Sequence, residues 1–446
     1  MKLAEILFQK GKEAGFEDME VYFQSNNSFN LKIFEGEIVN YSISDEQGLS
    51  FRGIYNQKMG YSYTEKVDET SVDMLIKEAK ANATIIDSDD EEFIYEGSKE
   101  YKEVNNYNKA LEDISNEEKI KLAFELEKEA LSLDKRVEAV DPCIFSESSS
   151  ESIVINSKGL RLEDKSNLAF AYLGVKVKDG EDIKTSAKYA ISNDFNKFDT
   201  KTLAKGAVDE AVSMLGAKPV KSGQYEIILR NDISANILEA FSSIFSAEAV
   251  QKDLSLLKGK IGEKIANNLI TIVDDPFLKD GIASTGFDSE GVATKHKKLI
   301  DGGVLKTFLH SLKTAKKDGV EPTGNGFKGY KSSISISPTN MYIENGDTKL
   351  EDMIRSIDRG LLIVDVQGLH SGLNTISGDF SLSAYGFLIE GGRVLRPVNQ
   401  ITIAGNYFEV LNDVEIVGSD LEFALPGAGY IGSPSLKIKK LSVAGE

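Results

Sequence analysis

A chain of 446 residues is too long for one ordinary hydrophobic core, so two domains are expected. With 41% hydrophobic and 28% charged residues, the composition is that of a globular protein and excludes a disordered or fibrous one. A net charge of −19 repels nucleic acid and anionic lipid, so neither is expected as a partner.

Taken from the N-terminus, Leu3, Ile6, Leu7 and Ala14 make a helical stripe that stops at Gly15. That amphipathic start lacks the continuous apolar core of a signal peptide. No apolar run anywhere is long enough to cross a bilayer, so no membrane span is expected. The one cysteine, Cys143, allows no intramolecular disulfide and fits a reducing cytoplasm, which is the expected location. Residues 29–64 alternate apolar and polar, with breaks at Glu35-Gly36, Gln47-Gly48 and around Asn56, and predict an antiparallel meander. A helix near 71–82 and a solvated acidic loop at 87–92 follow.

Ser115, Asn116, Glu117 and Glu118 form a capping-box signature opening a helix to about Leu133. A second meander is predicted from Ser152 to Ile191, with a turn at 157–159. Helix, meander and helix thus occur twice, which hints at an internal duplication. A helix near 200–215 ends at Gly216, and 217–223 reads as a linker between domains 1–218 and 219–446. Beyond it, YEIILR, LITIVDD, SSISISP, LLIVDVQG, FSLSAYGFLIEGG and SLKIKKLSV read as strands, with helices near 234–247 and 349–359. The expected fold class is α+β: an N-terminal domain mixing helices with antiparallel strands, and a C-terminal domain dominated by a large antiparallel, barrel- or sandwich-like sheet.

Most motifs point to structure. Gly324, Gly326 and Gly329, and again Gly427, Gly429 and Gly432, match G-x-G-x-x-G, but strand-like stretches follow both where a dinucleotide site needs a helix. His296 reads as a surface residue and His310 as a boundary residue, whereas His370 lies in a glycine-flanked loop that could line a cleft. Cys143 reads as packing. Asp274 and Asp275 are neighbours at a strand end, point to opposite faces and read as a loop-start cap. In NILEAFSSIFSAEAV, residues 236–250, Ile237, Phe241, Ile244 and Phe245 make an apolar helix stripe with Glu239 off it.

The stretches EAGFEDMEVYF, FEGE and GLSFRG in the first half resemble the TldD/PmbA family of metallopeptidase-related proteins. So do GEKIANNLITIVDD, IDGGVLKTFLH, EPTGNG, SISPTNMYI, SGDFSLSAYGFLIEGG and SDLEFALPGAGYIGSPSLKI in the second, and the likeness covers nearly the whole length. In the catalytic, TldD-like branch the resemblance implies a helix carrying H-E-x-x-x-H. Its two histidines bind zinc, and its glutamate is the general base for a water whose pKa the metal brings to roughly 7. That motif falls on 238–243, where Leu238 and Ser243 stand at the histidine positions and Glu239 alone matches. A cysteine ligand of that branch, shortly before the C-terminal glycine-rich segment, has no counterpart after Cys143.

The resemblance therefore points to the PmbA, TldE-like branch, with no catalytic residue and no metal ligand in this chain. Glu239 is left as a solvated remnant of the family base, and zinc is expected in a TldD-like partner. In the family the two subunits form a ring-like heterodimer around a cavity, and an unfolded or precursor peptide lies extended in the catalytic subunit, as by strand addition. Candidate cleft residues are Asn325, His370 and Asp379. The family's older name, modulator of DNA gyrase, implies a DNA link that the charge balance does not support. Two alternatives stand beside this reading: a homodimeric peptide-binding module, and an autonomous hydrolase with a non-family metal site at Glu239, Asp274 or His370.

Overall fold

The computed structural model describes residues 2–86 and 90–446. Its helices are α1 (Lys2–Glu13), α2 (Val72–Ile85), α3 (Lys109–Glu112), α4 (Asn116–Leu133), α5 (Thr200–Ser213), α6 (Asn231–Phe241), α7 (Ala247–Gln251), α8 (Leu312–Asp318), α9 (Leu350–Arg355) and α10 (Tyr407–Asn412). The strands of the first half are β1 (Met19–Phe34), β2 (Glu37–Tyr55), β3 (Lys58–Thr64), β4 (Val137–Asn156), β5 (Arg161–Asp179) and β6 (Asp182–Ser192). Those of the second half begin with β7 (Gly223–Leu229), β8 (Ile272–Asp274), β9 (Lys297–Asp301), β10 (Val304–Leu305), β11 (Gly326–Phe327), β12 (Ser335–Ile336) and β13 (Asn340–Ile343). They continue with β14 (Arg359–Gln367), β15 (Asp379–Glu390), β16 (Arg393–Asn406), β17 (Val414–Val417), β18 (Glu422–Phe423), β19 (Tyr430–Ser433) and β20 (Leu436–Ala444). No helix among the described residues is long and apolar enough to cross a membrane.

The chain divides into two units. One holds the described residues up to Val212 together with Thr285–Thr294 and His310–Ser335, and the other holds Ser213–Ser284, Lys295–Leu309 and Ile336–Glu446. The α+β class expected from sequence is what the structure has.

In the first unit the six strands run in the order β3-β2-β1-β4-β5-β6, every neighbouring pair antiparallel. The order is symmetric about the β1·β4 pair, each half being a three-strand meander. Both meanders start earlier than predicted, at Met19 and Val137, so Cys143 lies within β4. Its side chain is fully buried, with Sγ on the Ala123 carbonyl at 3.5 Å, and burial pushes the thiol up to about 12. The helix at Asn116 opens with the expected capping box, Ser115 and Glu118 exchanging bonds. The break expected at Gln47-Gly48 is absent, since β2 runs through it unbroken. Gly48 is there for close approach and not for a turn: a Cβ would lie 2.0 Å from Cε2 of the Tyr330 ring. Gly48→Val should therefore cost about 1–3 kcal/mol by overpacking, measured by urea unfolding, while Gly36→Ala, whose Cβ meets nothing, tests the turn alone.

A charge cluster is buried in this unit. Glu20 takes Arg52 Nε at 2.7 Å and Nη2 at 2.9 Å, and Lys328 Nζ lies 3.1 Å from the same carboxylate. Arg52 Nη1 also lies 3.8 Å from Glu290, which accepts the Leu312 N–H at 2.8 Å; Asp288 accepts the N–H groups of Glu290, Val292 and Gly326. Burial pushes the Glu20 carboxyl up, but the charges of Arg52 and Lys328 together hold it below the ordinary range. Burial and the Arg52 charge bring the Lys328 ammonium down to about 8. Burial raises both Asp288 and Glu290, and their mutual repulsion adds to it at Asp288. Of the predicted acidic loop, residues 87–89 lie outside the described residues. Asp90, Glu91 and Glu92 pair with Lys313, Lys316 and Lys317 on α8, contacts mostly at the surface and of small energetic value.

In the second unit β16, β15, β14, β7 and β20 follow one another in a sheet that the β16·β20 pairing closes into a five-stranded barrel. All its neighbours are antiparallel except β14·β7. The sequence reading lacked β16. Its alternation is broken by Pro397 and by two register shifts against β15, the marks of a bulged strand at a barrel corner. Conversely, only Ser335–Ile336 of the predicted SSISISP strand is extended. A second sheet, β10-β9-β8-β13-β19-β18, includes one parallel pair, β13·β19.

Candidate functional site

α6 begins where the chain leaves β7 at Arg230, whose guanidinium forks onto Asp232 at 2.7 and 2.6 Å. Asp232 in the first turn favours the positive end of the helix dipole. Ser435 Oγ accepts the Asn231 N–H at 3.0 Å and donates to Asp420 at 2.7 Å, and the Ser234 and Ser433 hydroxyls meet at 2.8 Å. These bonds pin the helix N-terminus to the segment around β19. The apolar face, Ile233, Ile237, Leu238 and Phe241, enters the main hydrophobic core of the unit, where the Phe241 ring stacks on Tyr407 with centroids 4.4 Å apart. After Phe241 the helix tightens into a 3₁₀ turn, Ser242–Phe245.

The two positions that would carry zinc histidines end in different surroundings. Leu238 is fully buried in the core, whereas Ser243 is exposed on the 3₁₀ turn. Glu239 is not solvated as expected. It is half-buried, and its carboxylate lies against the loop at Gly427. A Cβ on Gly427 would sit 2.0 Å from Glu239 Oε1, so the glycine is what lets the loop lie on the carboxylate. Burial raises the carboxyl, and the Ala428 N–H pulls it partway back. A carboxyl raised on folding stabilises the folded state fully below its unfolded pKa, and that contribution is lost as pH rises through the folded value. Glu239→Gln, which keeps the acceptor and removes the charge, is therefore expected to raise stability at neutral pH. The difference should vanish below about pH 4, as read from melting temperatures across a pH series.

Among the described residues no group of three or more His, Cys, Asp or Glu side chains is placed to share a metal ion. The side chains present do not fit zinc: an alkyl chain in the core, an exposed hydroxyl, and a single half-buried carboxylate.

The remaining candidates fall in both units. Asn325 belongs to the first unit and is wholly buried. His370 and Asp379 belong to the second, and both are exposed. Asp379 accepts Ser377 Oγ at 2.8 Å and Asn406 Nδ2 at 3.0 Å, and those bonds hold its carboxyl below the usual range. His296 is exposed, while His310 is buried and burial keeps its imidazole below the ordinary pKa. Asp274 is fully buried, bonded to Lys297 Nζ at 2.8 Å and to Thr339 N and Oγ1 at 2.7 Å each, while Asp275 closes a turn onto the Phe277 N–H. Neither glycine-rich stretch opens a helix, since β11 and β19 begin within them. The Glu239–Gly427 contact escaped the sequence reading. The sequence reads Gly427 as part of a structural turn, and nothing local shows which side chain lies beneath it.

Residues 222–445 match the family model described as the PmbA/TldA metallopeptidase C-terminal domain. Residues 109–215 match its central domain, and 19–83 its domain 1. An uncharacterized protein of Methanocaldococcus jannaschii is 30% identical over 92% of this chain and 95% of its own length. A protein of Haemophilus influenzae named Metalloprotease PmbA homolog is 26% identical over 92% and 88%. Among solved structures, a Thermotoga maritima protein described as a modulator of a DNA gyrase superposes with a TM-score of 0.92 at 33% identity, covering 99% of both chains. TldE from Thermococcus kodakarensis superposes with a TM-score of 0.91 at 27% identity, over 99% of this chain and 100% of that one.

Proposed function

The chain belongs to the PmbA/TldD metallopeptidase family, and from that premise we propose that it is a TldE-like, non-catalytic subunit of a two-subunit zinc peptidase of the cytoplasm. Its substrates in this reading are unfolded or precursor peptides, and its partner is a TldD-like subunit carrying H-E-x-x-x-H. The observation that supports it is the state of α6. The position for the first zinc donor is filled by Leu238 inside the core, and Glu239 stands beside it with no metal-binding side chain on either histidine position to hold a water for it. What remains for this chain is a barrel and an antiparallel sheet, a rigid wall for an extended peptide and a surface for the partner.

The purified chain, dialysed with and without chelator, should hold well below one zinc per chain and cleave no unfolded peptide. Combined with a TldD-like homologue that carries H-E-x-x-x-H, it should support cleavage. Glu239→Gln in this chain should leave that rate within about twofold, and the same change in the partner's motif should abolish it. Tightly held stoichiometric zinc, or a rate lost with Glu239→Gln, would overturn the proposal.

A further inference from the structure

β3 pairs with β2 only over residues 49–55. Over 37–48, β2 has β1 on one side and no strand of the described chain on the other. This leaves an open edge of about 40 Å at the usual rise per residue. Every residue from 37 to 47 is exposed except Ser44, which is half-buried, and the apolar ones are well exposed: Ile38 at 44%, Val39 at 53%, Tyr41 at 44% and Ile43 at 61%.

The register explains what these side chains belong to. Ile38, Tyr41 and Ile43 stand opposite Ile33, Leu31 and Phe29 of β1, and directly opposed residues share a face. On β1 that face is buried beneath α4, whose Lys119 lies over the Phe29 ring and whose Glu127 accepts the Gly36 N–H at 3.0 Å. Asn116 at the start of α4 reaches only the Tyr41 hydroxyl, at 3.4 Å. The apolar face covered on β1 therefore continues uncovered on β2. Natural edges of this kind are normally blunted by lysine or proline. Between 37 and 48 there is neither, and the one register shift, at Lys32/Ile33, lies at the turn end.

We propose that this edge seats a strand of a second folded subunit, one that carries lysine or arginine opposite Glu37, Asp45 and Glu46. The inference rests on the two-subunit reading above and assigns it a surface. Charge chooses the occupant: 37–48 holds those three carboxylates and no basic residue, so a second copy of the same edge would set acid against acid. Permanence chooses a folded subunit over a free peptide, because an apolar edge bare between substrates would pair with other chains. Main-chain bonds to the open N–H and C=O groups supply the affinity, and the carboxylates select the strand.

The test mixes the chain with the H-E-x-x-x-H homologue and follows complex formation by light scattering and hydrogen exchange by mass spectrometry. The expected result is a complex in which the outward amides of 37–48 exchange at least about tenfold more slowly. Ile43→Glu and the pair Asp45→Lys/Glu46→Lys should each weaken it by at least about tenfold. These exposed sites should melt with the wild type, and Leu256→Glu, at another exposed apolar residue in the second unit, should change nothing. A complex whose 37–48 amides exchange as in the free chain overturns the edge and leaves the two-subunit reading standing. No complex at all overturns both. Protection of 37–48 in the chain alone, rising with its concentration, overturns the chosen occupant in favour of a second copy.

Discussion

Arg52→Leu is expected to destabilise the first unit by about 3–5 kcal/mol, the cost of leaving a buried charge without its partner. The guanidinium is almost wholly buried and forks onto Glu20, which lies fully inside. Without it Glu20 keeps one cation, Lys328, whose own charge burial already disfavours. Glu290 loses its nearest guanidinium as well. Urea unfolding followed by a probe in the first unit should show the loss as a lower midpoint at unchanged slope. Glu20→Leu/Arg52→Leu should recover part of it, since the worst uncompensated charge is then gone, and the cycle gives the coupling between the two. A single variant within about 1 kcal/mol of wild type would mean that water reaches the cluster.

Leu238→Ala should cost the second unit about 2–5 kcal/mol. The side chain is fully buried among Ile237, Phe241 and the barrel residues of the same core, so its removal leaves a cavity that the flanking rings cannot fill. Ser243→Ala, on the exposed side of the 3₁₀ turn, should stay within about 0.5 kcal/mol. The contrast bears on function, because two positions that would have to converge on one ion respond to mutation as a core residue and a surface residue. Equal, small losses at both would mean that Leu238 lies at a cleft wall.

Much of the architecture was legible because local pattern carried it. The Ser115 capping box, the glycine stop at Gly15 and the alternation of β5 and β15 depend on residues a few positions apart. The family resemblance rests on ordered motifs, and the three family domains matched along the chain agree with it. What escaped depends on distant partners. Gly48 reads as a turn until the Tyr330 ring is placed beside it, and Glu239 reads as a wet helix residue until Gly427 arrives beneath it. Glu20, Arg52, Glu290 and Lys328 share no spacing at all, so nothing local marks four ordinary surface-type residues as a buried network. β16 was hidden by its own irregularity, since the bulges that bend it also erase its period.

The barrel's closure sets a constraint in time. Gly223 on β7 pairs with Val443 on β20, and Val443 also faces Ile403 on β16. The strand that seals the ring is thus separated from the first by roughly two hundred positions, a span that makes closure slow and late in folding. Until it docks, β7 and β16 both show bare backbone. Refolding yield should therefore depend on protein concentration far more than the stability of the finished unit would suggest.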